Sequence, residues 1–256
     1  MRVLAIGDVV GKTGTEFVRS VLPAFRRVKG VDLCVINGEN AAPNNGITPA
    51  NCEELFLSGA DVITTGNHVY RRRELYDYLE EHDDILRPAN FPDSTPGKGS
   101  CIIDKGRVRV GVINLLGTTY MDPLGNPFAA AEEALKELED CRIVLVDFHA
   151  EATSEKRAMG FFLDGKVSAL FGTHTHVQTA DEQILPGGTG YITDLGMVGA
   201  EQSVLGVKPE IMVERFRTHL PARFEPAEGS PFLCGCLFDI DEKTGACTAV
   251  ERICLR

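Results

Sequence analysis

Five short apolar runs in this chain each stop at residues whose side chains carry strong oxygen or nitrogen donors. Arg2-Val3-Leu4-Ala5-Ile6 ends at Gly7-Asp8, residues 31–36 end at Asn37-Gly38-Glu39-Asn40, and Val62-Ile63-Thr64 runs into Thr65-Gly66-Asn67-His68. Residues 143–147 lead to Phe148-His149, and Val167-Ser168-Ala169-Leu170-Phe171 leads to Gly172-Thr173-His174-Thr175-His176. Apolar runs of this length bounded by turn residues read as buried strands. Helical periodicity over 14–28, 49–58 and 71–81 separates the first of them. Alternating strand and helix argues for a largely parallel sheet in an α/β fold. In such sheets ligands bind outside the carboxyl ends of the strands, where these donors fall.

Residues 88–99 form a Pro/Gly-rich loop. Residues 101–104 and 108–115 predict paired strands around Lys105-Gly106, which adds antiparallel character. Helices are predicted over 128–139, 154–163 and 208–217, with a short strand at 190–193. The tail predicts a hairpin, 233–240 against 248–255, turning at Lys243-Thr244-Gly245. No repeat, linker or low-complexity segment interrupts the 256 residues, so one domain over 1–256 is expected.

The formal net charge of −11 works against a stable complex with a nucleic-acid duplex. No apolar stretch approaches the length of a membrane span, so neither a span nor a signal peptide is expected. Eight cysteines are scattered with no C-x-x-C pair, which fits a reducing cytoplasm. Cys234-Gly235-Cys236 reads as a strand with two same-facing core thiols.

Taken singly, each donor has an ordinary explanation. Asp8 could cap a helix, Asn67 could occupy a tight turn, His149 could be a hydrogen-bonded core residue, and His174 and His176 could simply follow a strand. Turns do not require carboxylate, carboxamide and imidazole at successive strand ends, however. Asp8, Glu39, Asn40, Asn67, His149, His174 and His176 are too many ligands for one zinc. They suit two metal ions sharing a carboxylate, for which Glu39 has two oxygens. The mixed nitrogen and oxygen set without cysteine points to iron, manganese or zinc rather than copper. Two such ions ~3.5–4 Å apart can hold a bridging hydroxide and clamp an in-line phosphoryl displacement. Gly7-Asp8-Val9-Val10-Gly11-Lys12-Thr13 is not a P-loop, since its glycines are one residue too close.

Gly7-Asp8, Gly66-Asn67-His68 and Gly172-Thr173-His174-Thr175-His176, with His149 between the last two, resemble the blocks of the calcineurin-like metallophosphoesterases. The histidine that usually follows the first aspartate is missing in Asp8-Val9-Val10, and Asn37-Gly38-Glu39-Asn40 replaces the usual bridging aspartate block. Those departures, with Asn114-Leu115, Asn126-Pro127-Phe128 and the run from Val146 to Lys156, resemble the YmdB-like bacterial phosphoesterases along nearly the whole chain. Leu116-Gly117-Thr118-Thr119-Tyr120 lacks an arginine expected in relatives.

The resemblance implies an αββα fold: a β-sandwich flanked by helices, with the metal site at the C-terminal ends of strands. It implies a dinuclear phosphodiesterase of small phosphodiesters, most of all 2′,3′-cyclic nucleotides. Asp8, Glu39, Asn40 and His176 would hold one ion, and Glu39, Asn67, His149 and His174 the other. His68 would protonate the leaving oxygen or donate to the transition-state phosphate. A phosphomonoesterase, a nuclease on short RNA, or a metal-binding regulatory protein with vestigial catalysis would use the same ligands. The resemblance also suggests a homo-oligomer, for which patches near Phe161-Phe162 and Met197-Val198 could serve.

Overall fold

Successive residues of a strand face opposite ways, and here both faces are apolar. In the computed structural model, which describes residues 1–256, β1 (Arg2–Ile6) packs Leu4 and Ile6 into one core and Val3 and Ala5 into another. The chain continues with β2 (Asp8–Val9), α1 (Gly11–Lys29), β3 (Leu33–Asn37), α2 (Pro49–Ser58), β4 (Val62–Thr64), a 3-10 turn at Val69–Arg71, α3 (Leu75–Glu81) and β5 (Ile85–Leu86). It then forms β6 (Ser100–Asp104), β7 (Arg109–Leu116), α4 (Pro127–Glu137), β8 (Ile143–His149), α5 (Thr153–Leu163) and β9 (Ala169–Thr173). The remainder is β10 (Gln183–Ile184), β11 (Gly190–Ile192), β12 (Met197–Ala200), α6 (Pro209–Thr218), β13 (Pro231–Ile240) and β14 (Cys247–Leu255).

These strands divide between two sheets. One runs β2-β12-β13-β1-β3-β4-β5, with β14 on the other edge of β13. Within it β1, β3, β4 and β5 are parallel, and β13 lies antiparallel to β1 with Ala5 opposite Cys236. The other runs β10-β11-β9-β8-β7-β6, with β7, β8, β9 and β11 parallel. Val3, Ala5, Val35 and Val62 of the first sheet share a core with Val110, Val112, Leu145 and Phe171 of the second. Leu4, Ile6, Ile36 and Ile63 pack with Val18, Leu55 and Leu75 of α1, α2 and α3. Leu115, Val146, Phe148 and Leu170 pack with Ala131, Met159 and Leu163 of α4 and α5. The architecture is therefore αββα. Strand–helix alternation alone pointed to a parallel sheet. Each sheet needs a cover on its inner face, and the other sheet supplies it.

The predicted helix over 71–81 is shorter than expected. Arg72 is extended (φ −114°, ψ 109°), and the helix begins only at Leu75. The Arg72 guanidinium reaches back to the carbonyls of Pro43 and Asn45, so tertiary hydrogen bonds override local helical preference. The short strands β2, β5, β10 and β12 carry too little periodicity to read in the sequence. Met197 and Val198 are buried in β12 and cannot form a surface patch. Phe161 is exposed, as are Val213, Phe216 and Leu220 on or just beyond α6. No helix is long and apolar enough to cross a membrane.

Phe171 and Phe238 bind the two sheets together with ring centroids 6.0 Å apart, each at most 1% exposed. Phe238→Ala should lower unfolding free energy by ~3–5 kcal/mol. Leu57→Ala, at a residue 85% exposed, should stay within ~0.5 kcal/mol of the parent. Urea titrations of the two variants check both.

Candidate metal centre

The C-terminal ends of β1, β3 and β4 in one sheet meet those of β8 and β9 in the other. Asp8 follows β1, Glu39 and Asn40 follow β3, and Asn67 and His68 follow β4. His149 closes β8, and His174 and His176 follow β9. Two glycines make the approach possible. A Cβ at Gly66 would collide with His149 and Glu39, and one at Gly172 would collide with the Thr193 carbonyl and the Lys156 stem.

All seven donors and His68 are brought into one connected group. His149 Nε2 lies 3.0 Å from Glu39 Oε1, 3.1 Å from Asn67 Oδ1 and 3.0 Å from His174 Nδ1. His176 Nε2 lies 3.1 Å from Asn40 Nδ2 and 3.6 Å from Asp8 Oδ1. Glu39 Oε1 accepts from Asn40 Nδ2 at 3.4 Å, and Asp8 Oδ2 accepts from the His174 backbone N–H at 3.1 Å. His68 Nδ1 sits 3.1 Å from Asn40 Oδ1 and 3.2 Å from Glu39 Oε1. Lys12, the P-loop-like lysine, is 83% exposed and pairs with Glu16.

The group fits a cation on its own geometry. Asp8 and Glu39 are fully buried, yet Asp8 Oδ1 has no hydrogen-bond partner. A buried acceptor left unpaired costs ~1–3 kcal/mol, and more when charged. Ligand atoms of Glu39, His149 and His174 lie within 4.8 Å of one another. Two imidazole nitrogens 3.0 Å apart, those of His149 and His174, need a proton or a cation between them.

The family described as YmdB-like protein matches residues 4–253. The chain belongs to that family. It is 46% identical over 254 residues to the 2′,3′-cyclic-nucleotide 2′-phosphodiesterase of Bacillus subtilis (strain 168), covering 99% of this chain and 96% of that protein. A solved phosphatase of Mycoplasma pneumoniae superposes with a TM-score of 0.94 at 34% identity, covering 100% of this chain and 93% of that one. The NAD nucleotidase of Haemophilus influenzae, at 13% identity and a TM-score of 0.62 over 99% of this chain and 55% of that one, shares the fold alone.

In this YmdB-like chain the groups around the donors orient them, with Asp147 and Thr173 buried and Glu151 at the rim. Asp147 accepts from Thr173 Oγ1 at 2.7 Å, from Asn37 Nδ2 at 3.0 Å and from Thr64 Oγ1. Burial pushes its carboxyl up to about 6, against those hydrogen bonds. With its proton committed to Asp147, Thr173 Oγ1 can only accept from His149 Nδ1, 2.9 Å away. His149 Nε2 is thereby turned toward Glu39 and Asn67. Glu151 Oε2 similarly holds His174 Nε2 at 3.0 Å and turns Nδ1 inward. Asp147, Thr173 and Glu151 carry no role in the sequence reading. Asp147 was the legible signal, because a carboxylate inside an apolar strand needs partners. His174 (φ 98°) and His176 (φ 62°) have left-handed backbones, which cost ~1–3 kcal/mol each for residues other than glycine.

The electrostatics of the site follow from two buried carboxylates facing imidazoles. Burial opposes ionisation of Glu39, but His149 and His68 hold it well below the usual carboxylate range. Burial likewise opposes ionisation of Asp8, and His176 and His149 outweigh it. Burial disfavours the charged form of His149, but Glu39 and then Asp8 raise it to about 9. Burial and then His149 push His174 down to about 4. A proton and a metal ion therefore compete for His149 Nε2. Below about pH 9 the ion must displace the proton, and above it nothing is displaced. His176 is raised as well, Asp8 outweighing burial, so apparent Mn(II) affinity should rise at least about tenfold per pH unit from neutrality toward about pH 9. Calorimetric titration in buffers of different ionisation enthalpy counts the released proton, and a pH-independent affinity would contradict this assignment.

Proposed function

We propose that this member of the YmdB-like family, a phosphoric ester hydrolase, is a phosphodiesterase of small diesters, with 2′,3′-cyclic nucleotides as its substrates and two metal ions as its cofactors. The observation that carries the reading is the position of Glu39. Its Oε1 lies 3.0 Å from His149 Nε2 and 3.4 Å from Asn40 Nδ2, so one buried carboxylate faces both halves of the donor set. Asp8, Glu39, Asn40 and His176 would hold one ion, and Glu39, Asn67, His149 and His174 the other. Oxygen and imidazole donors suit iron or manganese, and zinc as well. When bound, the pair supplies Lewis acidity at the phosphate oxygens and lowers the pKa of a water nucleophile. Because the donors come from both sheets, residues 1–256 are taken as one catalytic domain.

The chain's own residues supply the rest. Hydrogen bonds from His68 Nδ1 to Asn40 and Glu39 turn its Nε2 away from the donor group, where it lies 3.4 Å from Asn45 Nδ2. From there a protonated Nε2 can pass its proton to the departing ribose oxygen. Arg72 anchors the loop that carries Asn45. A cavity of about 450 Å³, lined by His176, Met197, Leu205, Phe232 and Arg256 among others, borders the site and has room for a nucleoside. The name of the Bacillus subtilis relative, 46% identical along 99% of this chain, supports the cyclic-nucleotide substrate.

His68→Ala should lower kcat on 2′,3′-cyclic AMP by ~10²–10⁴-fold while elemental analysis still finds two ions per chain. Glu39→Ala should lose both the ions and the activity. Unchanged hydrolysis by either variant would sink the proposal. A panel of monoesters and short RNAs, assayed with the same metal, separates the diesterase from its alternatives.

A further inference from the structure

A buried ion pair outside the donor group holds the turn that carries His174 and His176. Lys156 in α5 and Asp194 after β11 are each 0% exposed. Asp194 Oδ2 accepts from Lys156 Nζ at 2.7 Å, from Thr175 Oγ1 at 2.6 Å and from Thr175 N at 3.1 Å. Asp194 Oδ1 accepts from Gly196 N at 2.8 Å. The backbone of Asp194 is clamped in turn, its N–H donating to Thr179 Oγ1 at 2.9 Å and its carbonyl accepting from Thr179 N at 3.1 Å.

We propose that Asp194, with its charge held by Lys156, is the positioning residue that sets the His174-Thr175-His176 turn and so the placement of both imidazoles for the metal ions. The inference rests on the metal-binding reading above. Thr175 lies between two residues with left-handed backbones, neither of them glycine. Such a turn persists only where neighbouring contacts over-determine it. The one side chain that grips Thr175 by both its N–H and its hydroxyl is Asp194. Without that carboxylate the two donors lose their partner and the flanking backbones relax toward ordinary φ, which swings the imidazoles apart. Both Asp194 oxygens are occupied by these donors, so the residue acts through the histidines rather than as a ligand. Lys156 neutralises a carboxylate that could not otherwise stay buried, and its stem passes the Gly172 position where a Cβ would collide.

The test compares Thr175→Val, Thr175→Ser and Asp194→Asn with the parent chain. Mn(II) binding to metal-stripped protein is followed by calorimetry, and the thermal midpoint of the same metal-stripped samples is recorded. Thr175→Val, which keeps the shape but not the hydroxyl, should weaken Mn(II) binding about 10-fold to 100-fold. Thr175→Ser should restore it to within about threefold of the parent. Asp194→Asn should move in the same direction as Thr175→Val, and if it fails to fold Thr175→Val decides. Full Mn(II) affinity in Thr175→Val, with only its thermal midpoint lowered, would overturn the inference while leaving the metal site intact. A parent chain that takes up no Mn(II) would overturn the metal reading itself, and this inference with it.

Discussion

Two carboxylates removed from water, those of Asp8 and Glu39, make the demand that the rest of this structure meets. Neither has a lysine or arginine beside it; their counter-groups are the imidazoles of His68, His149 and His176. An imidazolium can release its proton and bind a metal cation instead, whereas a guanidinium cannot. A site built this way is stable with protons in place and ready to exchange them for metal. Burial supplies the electrostatic force, because opposed charges out of water interact more strongly.

The sandwich exists at this end to bring donors from two sheets together. One sheet contributes Asp8, Glu39, Asn40, Asn67 and His68, and the other contributes His149, His174 and His176. Their mutual position depends on the shared core around Phe171 and Phe238. Buried carboxylates stand behind the histidine donors and fix their angles. Asp147 acts on His149 through Thr173, and Asp194 acts on the histidine turn through Thr175. Glu155 similarly gathers the backbone N–H groups of Thr118 and Thr119, in the segment that lacks the arginine expected in relatives.

Elements with local signals were legible. The second helix begins at Pro49 because Thr48 caps it and Asn51 returns the bond, and it stops at a left-handed Gly59. The C-terminal hairpin announced itself by two strand-like runs around Lys243-Thr244-Gly245. Arg72 interrupts an otherwise helical pattern because its partners, Pro43 and Asn45, are distant in sequence. Met197 and Val198 could have served an oligomer contact, yet they pair with Asp8 and Val9 in a four-residue strand too short to show a period.

By itself the sequence determined which residue types gather at strand ends, since buried strands must be apolar and their exits are where polar groups become tolerable. It therefore named Asp8, Glu39, Asn40, Asn67, His68, His149, His174 and His176 as one set. Only the tertiary structure decided how the strands divide between two sheets, which nitrogen of each histidine faces inward, and that Asp8 Oδ1 has no hydrogen-bond partner. It also assigned Asp147, Lys156 and Asp194 their places. Those facts depend on contacts between residues far apart in the chain, such as Lys156 with Asp194 or Asn37 with Asp147. A buried charge shows in the sequence only as a residue out of place, and its partner becomes known only when the chain has folded around it.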